Sequence, residues 1–199
     1  MARKKSNYLH PKYILTEQDT IEFNRYYIQN TKKGRKVVWQ QRLVFPAIFV
    51  GYVILALVMH FNSKPVYYLG GFILLMAIGY GLAAEKITLN RQEAEIKRSS
   101  YTLDSVHPEP TTLDFEEEGF DACYKGQQKD FSYEEVVKVT RTDKAIYIWL
   151  SDAMALQLPV RAFDSDAERD RLFNYLAEKC TNAEVDDAFG KKLEKAEKR

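Results

Sequence analysis

Two long stretches without Asp, Glu, Lys or Arg dominate the hydrophobic pattern: Leu43–Phe61, LVFPAIFVGYVILALVMHF, and Pro65–Ala84, PVYYLGGFILLMAIGYGLAA. At 1.5 Å per residue, nineteen or twenty helical residues cover the roughly 30 Å hydrocarbon thickness of a bilayer. Neither stretch has a polar stripe, whereas a helix on a globular surface keeps one. The competing reading is a pair of fully buried core helices, but a domain this small cannot surround two of them. The pattern predicts two transmembrane helices, with Pro46 in the first turn of one and Pro65 opening the other, where a missing N–H costs little. Only Asn62, Ser63 and Lys64 separate them, which is turn chemistry. Ala47/Gly51, Ala77/Gly81 and Gly79/Ala83 repeat small residues at four-residue spacing, so the two helices are expected to pack against each other.

Outside the apolar stretches the period changes. TEQD, Thr16–Asp19, is an N-cap with an acidic residue three positions on. Ile21, Phe23, Tyr26 and Tyr27 follow near helical spacing, predicting an amphipathic helix from Glu17 to about Lys33, preceded by a short strand in KYILT. This helix is expected to lay its aromatic face on the soluble domain rather than on the bilayer. A solvated helix is expected over 85–99, then a linker marked by Pro108 and Pro110. Short alternating runs follow, TTLDF, FDACY, DFSY, VVKVTR, AIYIWL and MALQLP, separated by the turns EEEG, KGQQK, TDK and SDA. Leu113/Phe115, Ile146/Ile148/Leu150 and Leu156/Leu158 alternate as antiparallel strands with one buried face do. FDSDAERDRLFNYLAEK closes the series as a helix capped by Asp164 or Ser165, with Leu172, Phe173 and Leu176 inward.

Charge changes the picture, because a formal net charge of +1 hides segregation. Residues 1–42 hold ten basic and three acidic side chains, 43–84 hold Lys64 alone, and 85–199 hold eighteen basic and twenty-five acidic ones. Lys32, Lys33, Arg35, Lys36 and Arg42 precede the first apolar helix, and Lys86, Arg91, Lys97 and Arg98 follow the second. By the positive-inside rule both termini are expected in the cytoplasm, with Trp39 at one membrane face and Tyr67 and Tyr68 at the other. A basic start without a continuous apolar stretch after it gives no expectation of a signal peptide. A mean hydropathy of −0.39 over 199 residues is too polar for a transporter built mostly of spanning helices.

The organisation expected is therefore α+β: a basic strand and helix over 1–42, a hairpin over 43–84 (43–61 and 65–84), a helix and linker over 85–110, a sheet with a C-terminal helix over 111–180, and a charged, disordered tail over 181–199. A curved antiparallel sheet closed by such a helix is the pattern of a pleckstrin-homology-like domain.

Few residues offer chemistry. His10, His60 and His107 lie in different segments without HxxxH or HxxE spacing. Cys123 and Cys180 make no CxxC and are expected as reduced thiols. No Gly-rich phosphate loop and no GxSxG elbow occurs. Glu116–Glu118 reads as a solvated turn rather than a cation site. Neither apolar helix carries an internal charge for a proton relay, and the acidic C-terminal half disfavours nucleic acid. No catalytic, cofactor-binding or metal-binding residue is expected, and no enzyme.

YILTEQDTIEFNRYYIQN before the hairpin and FSYEEVVKVTRTDKAIYIWLSDAMALQLPVRAF with its capped helix after it resemble the bacterial YcxB-like family. That resemblance implies a cytoplasmic pleckstrin-homology-like domain split by a membrane hairpin, and no catalytic residues to carry over. Two functions remain as expectations. One is a membrane-anchored module that recruits or regulates a protein partner, through a strand edge or the groove beside Leu172 and Phe173. The other is recognition of anionic lipid by Lys32, Lys33, Arg35, Lys36 and Arg42, each worth about 1 kcal/mol near an anionic leaflet. Those cations can equally serve only to hold the hairpin's orientation.

Overall fold

The computed structural model describes residues 10–59, 64–103, 110–124 and 126–191. The expected turn at Asn62 and Ser63, Pro108 of the linker, His60, His107 and the tail beyond Lys191 lie outside them. The described chain forms β1 (Lys12–Tyr13), α1 (Glu17–Asn30), α2 (Lys32–Val58), α3 (Lys64–Leu103), β2 (Thr111–Phe115), β3 (Gly119–Tyr124), β4 (Gln127–Ser132), β5 (Lys138–Arg141), β6 (Ala145–Ser151), β7 (Met154–Pro159), α4 (Asp166–Lys179) and β8 (Glu184–Asp187). These elements make two compact units, one of residues 23–99 and one of residues up to 22 together with those from 100 on.

In the helical unit, α2 and α3 are both long and apolar enough to cross a membrane, and 0% and 6% of their most apolar windows are buried within the protein. The chain does not bury these helices as core: Ile54, Leu57, Leu75 and Leu82 are exposed at 56%, 71%, 69% and 82%. The Thr31 side chain caps α2 by accepting from the Gly34 amide at 2.9 Å. Because α2 starts at Lys32, Pro46 lies well inside it rather than in a first turn. The basic stretch KKGRKVVWQQR is itself helix-compatible, so the helix runs on through the charge boundary.

α2 and α3 pack against each other as expected, and Ala77 is buried, but the glycines of the repeats make no close approach. A Cβ at Gly51, Gly79 or Gly81 would meet nothing within 4 Å. Aromatic rings also make contact: Phe45 and Tyr80 have centroids 4.5 Å apart. Tyr52 lies over Gly70 and donates its hydroxyl to the Val66 carbonyl at 2.6 Å. α1 also reaches α3: Gln29 donates to Glu85 at 3.1 Å, and Arg25 lies 3.8 Å from Glu93.

The mixed unit holds two four-stranded sheets, β1-β2-β3-β4 and β7-β6-β5-β8, antiparallel except for the parallel pair β5·β8. β1 pairs with β2 through Lys12↔Thr112 and Tyr13↔Thr111, so one strand of the first sheet precedes the helical hairpin and three follow it. Alternation is clean in β2, where Thr111, Leu113 and Phe115 are buried and their neighbours half-buried. Between β3 and β4, Gly126 takes a φ of +69°, which glycine adopts without strain. Leu113, Phe120, Val139, Ile146, Ile148 and Leu158 form the core with Leu172 and Leu176 of α4.

β6 breaks the expectation of one buried face, because Ala145 through Trp149 are all buried. Trp149 satisfies its indole by donating to the Thr140 hydroxyl at 3.1 Å, as a buried Trp must. Ser165 caps α4 by accepting from the Glu168 amide, and Glu168 reaches back to the Asp164 amide at 2.8 Å. The tail expected to be disordered from residue 181 instead lays Glu184–Asp187 along β5. Its composition is that of a solvated segment, but cations on β5 provide the partners.

Candidate functional site

The basic residues expected at lipid headgroups, Lys32, Lys33, Arg35, Lys36 and Arg42, lie on the N-terminal part of α2, and all five are exposed. Arg42 approaches Glu85 at 4.0 Å. Three of these cations sit in the first turn, which has no acidic residue. There they face the positive end of the helix dipole, which favours anions.

Leu172 and Phe173 do not line an open groove. They are 0% and 5% exposed, because α4 turns them into the core. The seam beside them is filled by β8. α4 ends at Cys180, whose amide bonds the Leu176 carbonyl, and the Ala183 amide bonds the Cys180 carbonyl at 2.9 Å. This short reversal delivers the chain to the edge of β5 in the register Lys138↔Glu184 to Arg141↔Asp187.

Side chains of unlike charge fix that strand. Arg141 donates Nε and Nη2 to the two carboxylate oxygens of Asp187 at 2.9 and 2.5 Å, and Nη1 to Asp170 of α4 at 2.6 Å. A planar guanidinium suits such a two-pronged carboxylate contact. Its other face lies over the Phe173 ring at 4.7 Å. The hydrogen bonds from Arg141 hold the Asp187 carboxyl below the usual carboxylate range.

Lys138 Nζ is 2.9 Å from Glu184 and 3.6 Å from Asp186, and Lys191 Nζ is 2.7 Å from Asp186. Burial works to raise the Asp186 carboxyl. The Lys191 hydrogen bond and the field of Lys138 more than offset it, leaving the group low. Arg169 is 4% exposed, an unusual position for a cation. Its guanidinium lies over the Phe189 ring at 4.8 Å, 3.2 Å from Asp166 and 3.7 Å from Asp170.

A second charged contact closes the other end of the unit. Arg161, just after β7, donates to both oxygens of Asp19 in α1, through Nη1 at 2.5 Å and through Nη2, which also reaches the Ile14 carbonyl at 2.7 Å. Thr16 adds its amide and hydroxyl to Asp19, each at 2.7 Å. Burial would raise the Asp19 carboxyl, but the Arg161 and Thr16 hydrogen bonds bring it below the ordinary range. Tyr13 is 6% exposed, and burial raises its hydroxyl pKa.

Among the described residues, no group of three or more His, Cys, Asp and Glu side chains is arranged to hold a metal ion. Cys180 is buried, and burial pushes its thiol up to about 11, away from the reactive thiolate.

Sequence reasoning found α4 and β5 but neither cluster. Arg141 and Asp187 are 46 residues apart and Arg161 and Asp19 are 142, so no local spacing announces them.

The span that carries β5 and most of α4 also matches a family model. Residues 115–176 match the model of the YcxB-like protein family. The match begins at the last residue of β2 and ends in α4, so the YcxB-like segment includes Arg141, Arg161 and Arg169 and stops short of β8. No curated protein and no solved structure matches the chain.

Proposed function

We propose that the protein is a membrane-anchored, non-enzymatic binding module that recruits or regulates a protein partner at the cytoplasmic face of a cell membrane. In this reading α2 and α3 span the bilayer as a hairpin and both termini are cytoplasmic. The mixed unit is then a pleckstrin-homology-like domain: two sheets, antiparallel but for β8, with α4 closing one end and the first strand lying ahead of the hairpin. Exposed apolar side chains along α2 and α3 support the membrane placement, because two helices left outside the chain's own core need another apolar medium. The observation that carries the binding reading is β8, an extended segment added to a sheet edge and fixed by its side chains, which is how sheet domains take up peptides.

The test is to replace α2 and α3 by an unrelated two-helix hairpin of the same topology and to measure partner capture from membranes. Capture should survive; its loss while the mixed unit stays folded would move the function into the hairpin. A second reading is recognition of anionic lipid, favoured by the exposed first-turn cations of α2. It expects selective enrichment of anionic lipid with the purified protein, and loss of that enrichment when Lys32, Lys33, Arg35 and Lys36 become Gln.

A further inference from the structure

We propose that the edge of β5 beside α4 is the docking site for a peptide with an extended acidic stretch followed by an aromatic residue, and that the chain's own Glu184–Phe189 occupies it as an intramolecular competitor. This rests on the binding-module reading and specifies its surface. The occupant shows the chemistry that the edge accepts. Glu184, Asp186 and Asp187 face Lys138 and Arg141, and Phe189 lies against the Arg169 guanidinium.

The cations belong to the folded unit. With the tail docked, the Arg141 and Arg169 side chains are 14% and 4% exposed, so an occupant of the edge takes both guanidiniums largely out of water. Asp166 and Asp170 on α4 face the same guanidiniums and supply part of the neutralising charge. Removing Asp187 still takes both carboxylate oxygens from Arg141. A strand without acidic residues would leave that buried charge poorly paired, and this cost selects for an acidic occupant.

The tail holds the edge weakly. Val185 is 44% exposed opposite a fully buried Val139, and β8 has no buried side chain. Its side-chain anchorage, beyond the backbone pairing with β5, is ionic apart from the aromatic contact of Phe189. A segment with a larger apolar side chain at the Val185 position would bury more area on the same edge and displace it. Tethering opposes displacement through an effective concentration on the order of millimolar, so the docked tail sets a threshold rather than a block.

The probe is a fluorescent peptide of residues 182–191, offered to the full chain in nanodiscs. The Asp187→Lys variant loosens the native tail and leaves Arg141 in place. It should bind the peptide at least tenfold more tightly than the unaltered chain. A control peptide with both Asp residues as Asn and Phe as Ala should bind neither. Arg141→Lys in the Asp187→Lys background keeps the charge, loses the two-pronged contact and should weaken binding again. Equal affinity of Asp187→Lys and the unaltered chain, or equal binding of the control peptide, overturns the proposal. So does a dimer held by exchanged tails, because the edge would then join copies of this chain. If the peptide fails while the hairpin-replaced protein still captures its partner, only this surface is wrong. If capture fails as well, the binding-module reading falls with it.

Discussion

Replacing Asp19 by Asn tests what holds the segment ahead of the hairpin to the sheet behind it. β1 offers only two residues to β2, too few to stay paired without help. The help comes from the buried Tyr13 ring and from Arg161, which grips Asp19 and the Ile14 carbonyl together. Asn keeps the shape and one acceptor but loses the charge, and its amide must face a donor. Breaking a buried ion pair costs about 3–5 kcal/mol, whereas a solvent-exposed one is worth about 0.2–1 kcal/mol. Asp19 is 8% exposed and the Arg161 side chain 45%, so the pair falls between those limits, at about 2 kcal/mol. At about 1.4 kcal/mol per tenfold, this opens β1 roughly 30-fold more often.

Hydrogen exchange by mass spectrometry on the full chain in nanodiscs reads this directly. Protection should fall about 30-fold over 10–16 and at the paired end of β2, while β6 and β7 keep theirs. The sign of the pH dependence is fixed by the direction of the shift. Asp19 sits below its ordinary value when folded, so its contribution is complete above the unfolded value, about 3.9, and is lost as pH falls through the folded one. Unaltered protein and Asp19→Asn should therefore differ at neutral pH and converge in acid. Equal protection at neutral pH, or a gap that persists through acid, would refute the argument.

Other substitutions test other joints. A Cβ at Gly34 would collide with the Tyr27 carbonyl and lie 2.5 Å from the Ile28 Cα, both backbone, so Gly34→Ala should lower the stability of the α1–α2 corner by about 1–3 kcal/mol in chemical denaturation. Leu176→Ala empties a fully buried site under the sheet and should cost about 2–5 kcal/mol, followed by the fluorescence of buried Trp149; Leu176→Met should cost less than about 1.5 kcal/mol. For topology, Ser63→Cys should react with an impermeant thiol reagent on intact cells, and native Cys123 and Cys180 should not; labelling of the native thiols reverses the orientation.

Most of the β2–β7 series was legible because the strands announce themselves locally, although the expected turn KGQQK holds the first half of β4. TDK and SDA interrupt runs whose alternate residues, such as Val139 or Ile146 and Ile148, are apolar and buried. The capped start of α4 was legible too, though only the structure decides for Ser165 over Asp164. β8 was illegible for the complementary reason. EVDD has neither alternation nor β-propensity, and it becomes a strand only because Arg141 and Lys138 stand opposite it. The same holds for the hairpin. Its apolar length is plain in the sequence, yet which residues face each other is decided by shape. Tyr52 fills the space at Gly70, while the four-residue repeat at Ala77/Gly81 leaves its glycine open. Local periodicity fixes elements, whereas partners chosen by charge or shape across the chain need coordinates.

The order of elements also explains how so short a strand as β1 can exist. Pairing Tyr13 with Thr111 closes a loop of roughly a hundred residues, which for a flexible chain would cost about 4 kcal/mol. Two paired residues cannot offset that with hydrogen bonds worth about 1 kcal/mol each. The intervening chain is not flexible: α2 and α3 run out and back, and Gln29 with Glu85 and Arg25 with Glu93 tie α1 to the returning α3. Once the hairpin has formed, the loop left to close is short, and Tyr13 burial with the Asp19–Arg161 contact can hold β1. Strand and hairpin are therefore linked through the chain itself. Gly34→Ala should raise exchange over 10–16 although it touches nothing there. If exchange in β1 is indifferent to that strain, the hairpin does not lower the closure cost and β1 is held by its own contacts alone.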